Sequence, residues 1–200
     1  MDNLTPEAWE QRYQNKGDRW NLGCPAPPFV SLLASSDAPQ LGKIAVLGCG
    51  KGHDALFFAQ SGYEVTGFDF APMAISEATT MAKARGIAAR FEQRDIFTLD
   101  KEFANSFDYV LEHTCFCAID PNLRSRYVEL VTNILHPGGK LIGLFYTHNR
   151  PGGPPFGIQP QEVLSYFSNF EPILFEKAKN SISRRQGDEH LAIFKLSRDK

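Results

Sequence analysis

The sequence predicts an α/β fold, a largely parallel sheet with helices on both faces, preceded by an extension over residues 1–40. Three observations predict it. From Lys43 onward, short apolar runs alternate with helix-length stretches. A glycine-rich junction, Val46-Leu47-Gly48-Cys49-Gly50-Lys51-Gly52-His53-Asp54, follows the first of those runs. The last two runs are separated only by a polar turn around Gln186-Gly187-Asp188, so they form an antiparallel hairpin at one edge. Two hundred residues fit one domain, with 1–40 as the extension and 41–200 as the α/β core.

The extension begins with a short helix from Pro6 to Asn15, capped by Thr5 and with Pro6 at its first position. Trp9 and Tyr13 are four apart and share a face. A Gly-Asp turn, Trp20 and a proline-rich loop, Cys24 to Pro28, follow. Exposed aromatics need cover, so this segment is expected to fold over the main body. In the core, Lys43 to Leu47 is the first strand, apolar enough for burial on both faces. A helix over Gly52 to Gln60 and a strand over Tyr63 to Phe70 come next. The helix from Pro72 to Arg85 has a proline at its start and Gly86 as its stop. Strands are expected at Ala88 to Arg94 and Phe107 to Thr114. A helix from Pro121 to Leu135 ends at His136-Pro137-Gly138-Gly139, and a strand runs from Lys140 to Thr147. A short helix, Gln161 to Phe167, precedes strands at Ile173 to Ala178 and Leu191 to Leu196.

Composition narrows the function. Apolar content is 42% and the net charge is −2, with lysine and arginine scattered along the chain. There is no basic stripe to track phosphates, which argues against a nucleic-acid partner. No apolar run approaches the ~20 residues that span a bilayer. The polar, acidic N-terminus lacks the features of a signal peptide, so a cytoplasmic protein acting on a small molecule, as a monomer or weak dimer, is expected. Cys24, Cys49, Cys115 and Cys117 form no C-x-x-C pair, which points away from a metal site. They read as small buried apolar residues, reduced in the cytosol.

The glycine junction suits an adenosine-containing cofactor. Glycines let the backbone turn tightly and approach a ligand, and the following helix offers free N–H groups. Asp69 ends the next apolar run, 21 residues after Gly48, where a carboxylate can accept from two ribose hydroxyls. The dinucleotide fingerprint G-x-G-x-x-G would need a glycine where His53 stands. A G-x-G-x-G loop with Asp54 at its exit suits instead an end bearing an ammonium and a carboxylate, as in S-adenosylmethionine. In open sheets the ligand lies at the carboxyl ends of the strands. The loaded strand ends here are Gly48 to Gly52, Asp69, Asp95 and Glu112-His113-Thr114.

Four segments together resemble the small-molecule S-adenosylmethionine methyltransferases of the thiopurine S-methyltransferase superfamily, and especially its halide/thiol methyltransferase branch. They are Trp9, Tyr13 and Trp20 with Asn21-Leu22-Gly23; Leu47 to Asp54 with Gly67-Phe68-Asp69; Phe107-Asp108-Tyr109-Val110 and Phe116 to Pro121 with Arg124; and Leu135 to Gly139 with Gly152-Gly153-Pro154-Pro155-Phe156. The resemblance implies a Rossmann-like seven-stranded sheet of order 3-2-1-4-5-7-6, the last strand antiparallel, with the N-terminal aromatic segment covering the cofactor. It also implies that Trp9, Tyr13, Trp20, Gly48, Asp69, Asp95, Ile96 and His113 line the cofactor site. The chain departs from the family pattern at Tyr13, usually tryptophan, at Leu47, usually proline, and at Glu112-His113, usually an Asp-Tyr pair.

Methyl transfer from a sulfonium is an in-line displacement that needs positioning and exclusion of water more than an acid or base. Aromatic faces attract the cationic sulfonium, a role open to Trp9, Tyr13 and Trp20; their plainer role is to fasten the N-terminal helix. Gly48 and Gly50 would admit the cofactor. Asp69 would hold the ribose, or cap the next helix. Asp95 would hold the adenine amine with Ile96 on its ring, or serve a turn. Asp54 would meet the methionyl ammonium, or complement a helix dipole. His113 would take a proton from a thiol with Glu112 orienting it, or only hydrogen-bond the cofactor. Cys115, Phe116, Tyr146 and Phe156 are expected as acceptor-pocket walls. The resulting expectation is an enzyme methylating a thiol or halide, with a thiopurine- or metalloid-type acceptor as the nearest variant. An NAD-dependent oxidoreductase and a non-catalytic S-adenosylmethionine-binding module are the rival readings.

Overall fold

The computed structural model describes residues 4–197; the polar start at Met1, Asp2 and Asn3 lies outside them. The chain divides into two compact units, Met1–Ile96 and Phe97–Lys200. In the first, helices α1 (Pro6–Gln14) and α2 (Pro27–Leu33) precede β1 (Lys43–Leu47), α3 (His53–Gln60), β2 (Glu64–Asp69), α4 (Pro72–Arg85) and β3 (Arg90–Gln93). In the second, β4 (Phe107–His113), α5 (Arg124–Ile134), β5 (Leu135–Tyr146), α6 (Pro160–Tyr166), β6 (Phe170–Lys177) and β7 (Glu189–Leu196) follow in order. The strands form a seven-stranded sheet of order β3-β2-β1-β4-β5-β7-β6, as expected. The reversed strand is β7, which pairs antiparallel with both β5 and β6.

Local chemistry explains the first unit. Thr5 Oγ1 accepts from Ala8 N at 3.2 Å and caps α1. The proline-rich stretch expected to be a loop instead opens α2. Prolines at the first helical positions lack only N–H groups that would have no partner there, and Phe29 and Leu32 of the same helix are buried. β1 and β2 pair in parallel from Lys43↔Glu64 to Leu47↔Phe68, and β2 and β3 from Thr66↔Arg90 to Asp69↔Gln93. α4 buries an alanine stripe, Ala74, Ala78 and Ala82, which lets it approach closely. The Phe91 ring fills a slot that two glycines leave open. A Cβ on Gly52 would stand 2.9 Å from Ala78 Cβ and 3.0 Å from Phe91, and one on Gly67 would stand 2.8 Å from Phe91. Cys117 is buried as expected, but Cys24 is exposed, because it lies in the turn that leads into α2.

In the second unit β4 and β5 pair in parallel, with a register shift between Phe107 and Tyr109. That irregularity absorbs His136-Pro137-Gly138-Gly139, expected to be a simple helix stop; β5 already begins at Leu135. A Cβ on Gly139 would meet the Asp108 carbonyl at 3.1 Å, so the close approach needs glycine there. An aromatic cluster fills the core: Phe116 lies 5.3 to 5.7 Å, ring to ring, from Tyr127, Phe145, Tyr166 and Phe167. Pro172 is on β6, the terminal strand of the sheet, where a missing donor is tolerated.

This core contains a carboxylate. Glu112 Oε1 accepts from Phe116 N at 2.9 Å and Oε2 from the Tyr127 hydroxyl at 2.5 Å. Burial pushes its carboxyl up to about 7, against the opposing pull of the Tyr127 and Phe116 hydrogen bonds.

Two outcomes follow from this packing. Gly52→Ala, with its φ of +80° and crowded Cβ, should cost about 1–3 kcal/mol in urea denaturation; an unmoved midpoint would show the slot to be loose. Because folding raises the Glu112 carboxyl, its stabilising contribution is full below about 4.5 and is lost as pH rises through about 7. Between pH 5 and 8 the wild type should therefore lose up to about 3 kcal/mol relative to Glu112→Gln. Parallel pH profiles for the two proteins would contradict this.

Candidate functional site

The glycine loop of the first unit is built around a carboxylate. Gly48, Gly50 and Gly52 have φ of +60°, +52° and +80°, a left-handed backbone that side chains disfavour. Asp69, only 5% exposed, ends β2 beside this loop. Its Oδ2 accepts from Gly50 N and its Oδ1 from Ala71 N, both at 2.9 Å. Desolvation pushes the carboxyl up, and those backbone donors oppose it. Asp69 is not the cap of α4. The N-cap is Ala71, without a side-chain bond, and the α4 donor Met73 N is met by Glu10 Oε2 of α1 at 3.0 Å.

The aromatic residues of the extension gather on the same loop. Tyr13 is buried against Ala71 and Ala74, with Trp20 packed beside it. The Trp20 indole donates to Tyr13 Oη at 3.3 Å, and the two rings meet edge to face at 5.4 Å. Trp9 meets Trp20 at 5.1 Å, and the Arg12 guanidinium lies 4.2 Å from the Trp9 ring centre. A Cβ on Gly50 would come within 3.1 Å of Tyr13 Oη. Burial, reinforced by Asp69, raises the Tyr13 hydroxyl and keeps it protonated. Lys51 pins the arrangement, with Nζ 3.1 Å from Asp18 of the extension and 3.0 Å from Glu77 of α4.

Asp54 accepts from Ala26 N at 2.7 Å and so fastens the extension to the first turn of α3. Asp95 is exposed just beyond β3, and its neighbour Ile96 is buried.

In the second unit the ends of β4, β5 and β7 carry the chemistry. Alternation along β4 separates the expected pair: Glu112 is engaged with Tyr127, whereas His113 meets Arg185. His113 Nε2 lies 3.0 Å from Arg185 Nη1, which also donates to Glu189 Oε1 at 3.1 Å. Arginine has no acceptor, so Nε2 receives the bond and the ring proton belongs on Nδ1. The glutamate beside His113 is therefore Glu189, 3.9 Å away, rather than Glu112. The Arg185 guanidinium also lies 5.4 Å from the Tyr146 ring centre. Tyr146 and Cys115 are half-buried, and Phe156, also half-buried, donates its N–H to the Cys117 carbonyl at 2.7 Å. Phe116 belongs to the aromatic core rather than to an open wall. Arg185 and Glu189 escaped sequence reasoning because they are more than 70 residues from His113, in a stretch that reads as a turn. Their one signal is a glutamate in phase with Leu191 and Ile193 on an otherwise apolar face, with an arginine four residues before it.

The first unit fits S-adenosylmethionine: a loop whose glycines clear the backbone, a buried carboxylate with further lone pairs, and an aromatic cover suited to a sulfonium. Comparison with known proteins agrees. The family described as Thiopurine S-methyltransferase (TPMT) matches residues 4–197. A probable thiol methyltransferase 2 of Arabidopsis thaliana is 30% identical, over 98% of this chain and 88% of that protein. A thiocyanate methyltransferase 1 of Brassica oleracea is 31% identical, over 94% of this chain and 84% of its own. Among solved structures, a Burkholderia thailandensis 1,6-didemethyltoxoflavin-N1-methyltransferase with bound 1,6-didemethyltoxoflavin and S-adenosylhomocysteine superposes with a TM-score of 0.79. It covers 98% of this chain and 88% of that one at 17% identity, a likeness of fold. The chain belongs to the thiopurine S-methyltransferase family and is an S-adenosylmethionine-dependent methyltransferase.

Proposed function

We propose that the protein methylates a small soft nucleophile that arrives already ionised, a thiolate or a halide. One observation carries this reading: the buried Arg185 guanidinium, which donates to His113 and lies over Tyr146. A buried cation favours an anionic acceptor, and the lone pair His113 would need to act as a base at Nε2 is already engaged. A halide has no proton to lose, and a thiol loses its own before binding. The names of the Arabidopsis and Brassica relatives, a thiol and a thiocyanate methyltransferase, support acceptors of this kind.

Bound to the glycine loop, S-adenosylmethionine supplies an electrophilic methyl on a sulfonium. Asp69 takes the ribose hydroxyls with lone pairs beyond those given to Gly50 and Ala71. Gly48 and Gly50 admit the cofactor backbone, while Asp95 and Ile96 hold the adenine. Trp9, Tyr13 and Trp20 exclude water and face the cation. Asp54 acts through Ala26, holding the extension in place. Cys115, Tyr146 and Phe156 bound the acceptor, and Glu189 steadies the Arg185 guanidinium. Among the described residues no helix is long and apolar enough to cross a membrane. The scattered charge supports a cytoplasmic enzyme, a monomer or weak dimer, acting on small molecules rather than nucleic acid.

Product analysis with a labelled methyl donor against iodide, bisulfide and an aromatic thiol tests the acceptor class. Methylation of none of them would end this reading. Arg185→Gln should lower kcat/KM for bisulfide and iodide by about 10–100-fold; an equal rate would remove Arg185 from the acceptor site. Asp69→Ala should weaken S-adenosylhomocysteine binding by about 1–3 kcal/mol in calorimetry. Unchanged affinity would confine Asp69 to bracing the loop.

A further inference from the structure

The second unit contains a recess of about 360 Å³ whose lining includes Pro121, His148, Asn149, Arg150, Phe156 and Glu162. It adjoins the residues assigned to the acceptor: Phe156 lines both, and the His148 ring lies 4.9 Å from that of Tyr146. A halide or bisulfide is little larger than a water molecule, which takes about 30 Å³, so such an ion leaves this volume unused. The volume is instead that of a small organic ligand site.

His148 gives the recess its chemistry. It is held in place by backbone, since Ile158 N donates to the His148 carbonyl at 3.0 Å. The residue is 6% exposed, and its Nδ1 accepts from Arg150 N at 3.2 Å. The ring proton therefore belongs on Nε2, and Nε2 is buried without a hydrogen-bond partner among the described residues. Burial and the nearby Arg150 and Arg124 guanidinia hold the imidazole neutral, with Asp188 opposing. Glu162 Oε2 takes Gln159 N at 2.7 Å in the capping box of α6. Arg150 is paired with Asp188 at 2.8 Å and with the Tyr146 hydroxyl at 2.6 Å. Behind the loop, Arg124 Nη2 donates to the Phe156 and Gly157 carbonyls at 3.3 and 3.2 Å, while its Nε is buried with no partner among the described residues. What His148 Nε2 and Arg124 Nε lack is an acceptor atom.

We infer that the recess is a subsite for the tail of an organic thiol acceptor, and that it selects a tail ending in an oxygen that accepts a hydrogen bond from His148 Nε2. The inference rests on the acceptor class proposed above. It makes His148 a specificity-determining residue: the thiolate reacts whatever its tail, and the tail sets the affinity.

Three thiols of matched length test it: 3-mercaptopropionate, 3-mercapto-1-propanol and 1-propanethiol. With the wild-type enzyme the two oxygenated thiols should show KM values about tenfold below that of 1-propanethiol, roughly the effect of one hydrogen bond. His148→Asn keeps an acceptor for Arg150 N but ends short of Nε2, and should collapse that ratio to about one. His148→Gln, whose amide nitrogen reaches the Nε2 position, should restore part of it. A wild-type ratio near one, or variants that change all three thiols alike, would overturn the inference. A readout without turnover separates it from the acceptor class. With S-adenosylhomocysteine present, the His148 Nε2 nitrogen resonance, identified by its loss in His148→Asn, should shift on adding 3-mercapto-1-propanol and not 1-propanethiol. Failure of every acceptor with that shift intact would sink the methyl-acceptor proposal alone; methylation without the shift would sink the subsite alone.

Discussion

The carboxylate of Asp69 is the constraint on which the first unit depends. Three glycines leave the loop only the Cys49 and Lys51 side chains with which to hold itself, so its backbone is also gripped from outside. Asp69 does this from the end of β2, binding Gly50 N with one oxygen and Ala71 N with the other. The loop after β1 and the start of α4 are thereby tied to one strand end. Phe91 then wedges behind them in the space left at Gly52 and Gly67. A buried carboxylate is costly unless hydrogen-bonded, and two backbone donors offset much of that cost while leaving lone pairs for a ligand. The aromatic face of the extension completes the arrangement, with Tyr13 buried against Ala71 and Ala74 beside the same loop.

The second unit solves a different problem, keeping polar groups inside an aromatic core. Glu112 and Glu189 are both almost wholly buried, yet they are served differently. Glu112 receives a phenol and a backbone N–H, and burial raises its carboxyl to about 7. Glu189 receives the Arg185 guanidinium. One buried acid thus meets neutral donors and the other a cation. The second arrangement sets the Arg185 cation beside His113.

Several elements are legible in the amino-acid order alone. The α4 limits, Pro72 and Arg85, follow from a proline that cannot sit deeper in a helix and a glycine that accepts the left-handed C-cap. β1 is a continuous apolar run, and its length leaves little choice. The α2 helix is hidden, because prolines read as loop residues unless they fall in a first turn. The role of Asp54 is hidden too, because its partner, the Ala26 amide, is a backbone group that carries no sequence signal.

The sequence by itself determined the strand and helix alternation, the glycine loop with its acidic partner, and the family. These rest on short-range patterns, where periodicity and backbone sterics act within a few residues. Only the tertiary structure decided which polar groups face one another. Alternation along β4 sends Glu112 and His113 apart, and the antiparallel return of β7 brings Arg185 and Glu189 to His113. Such pairings depend on distances in space between residues far apart in the chain, and no local pattern encodes them.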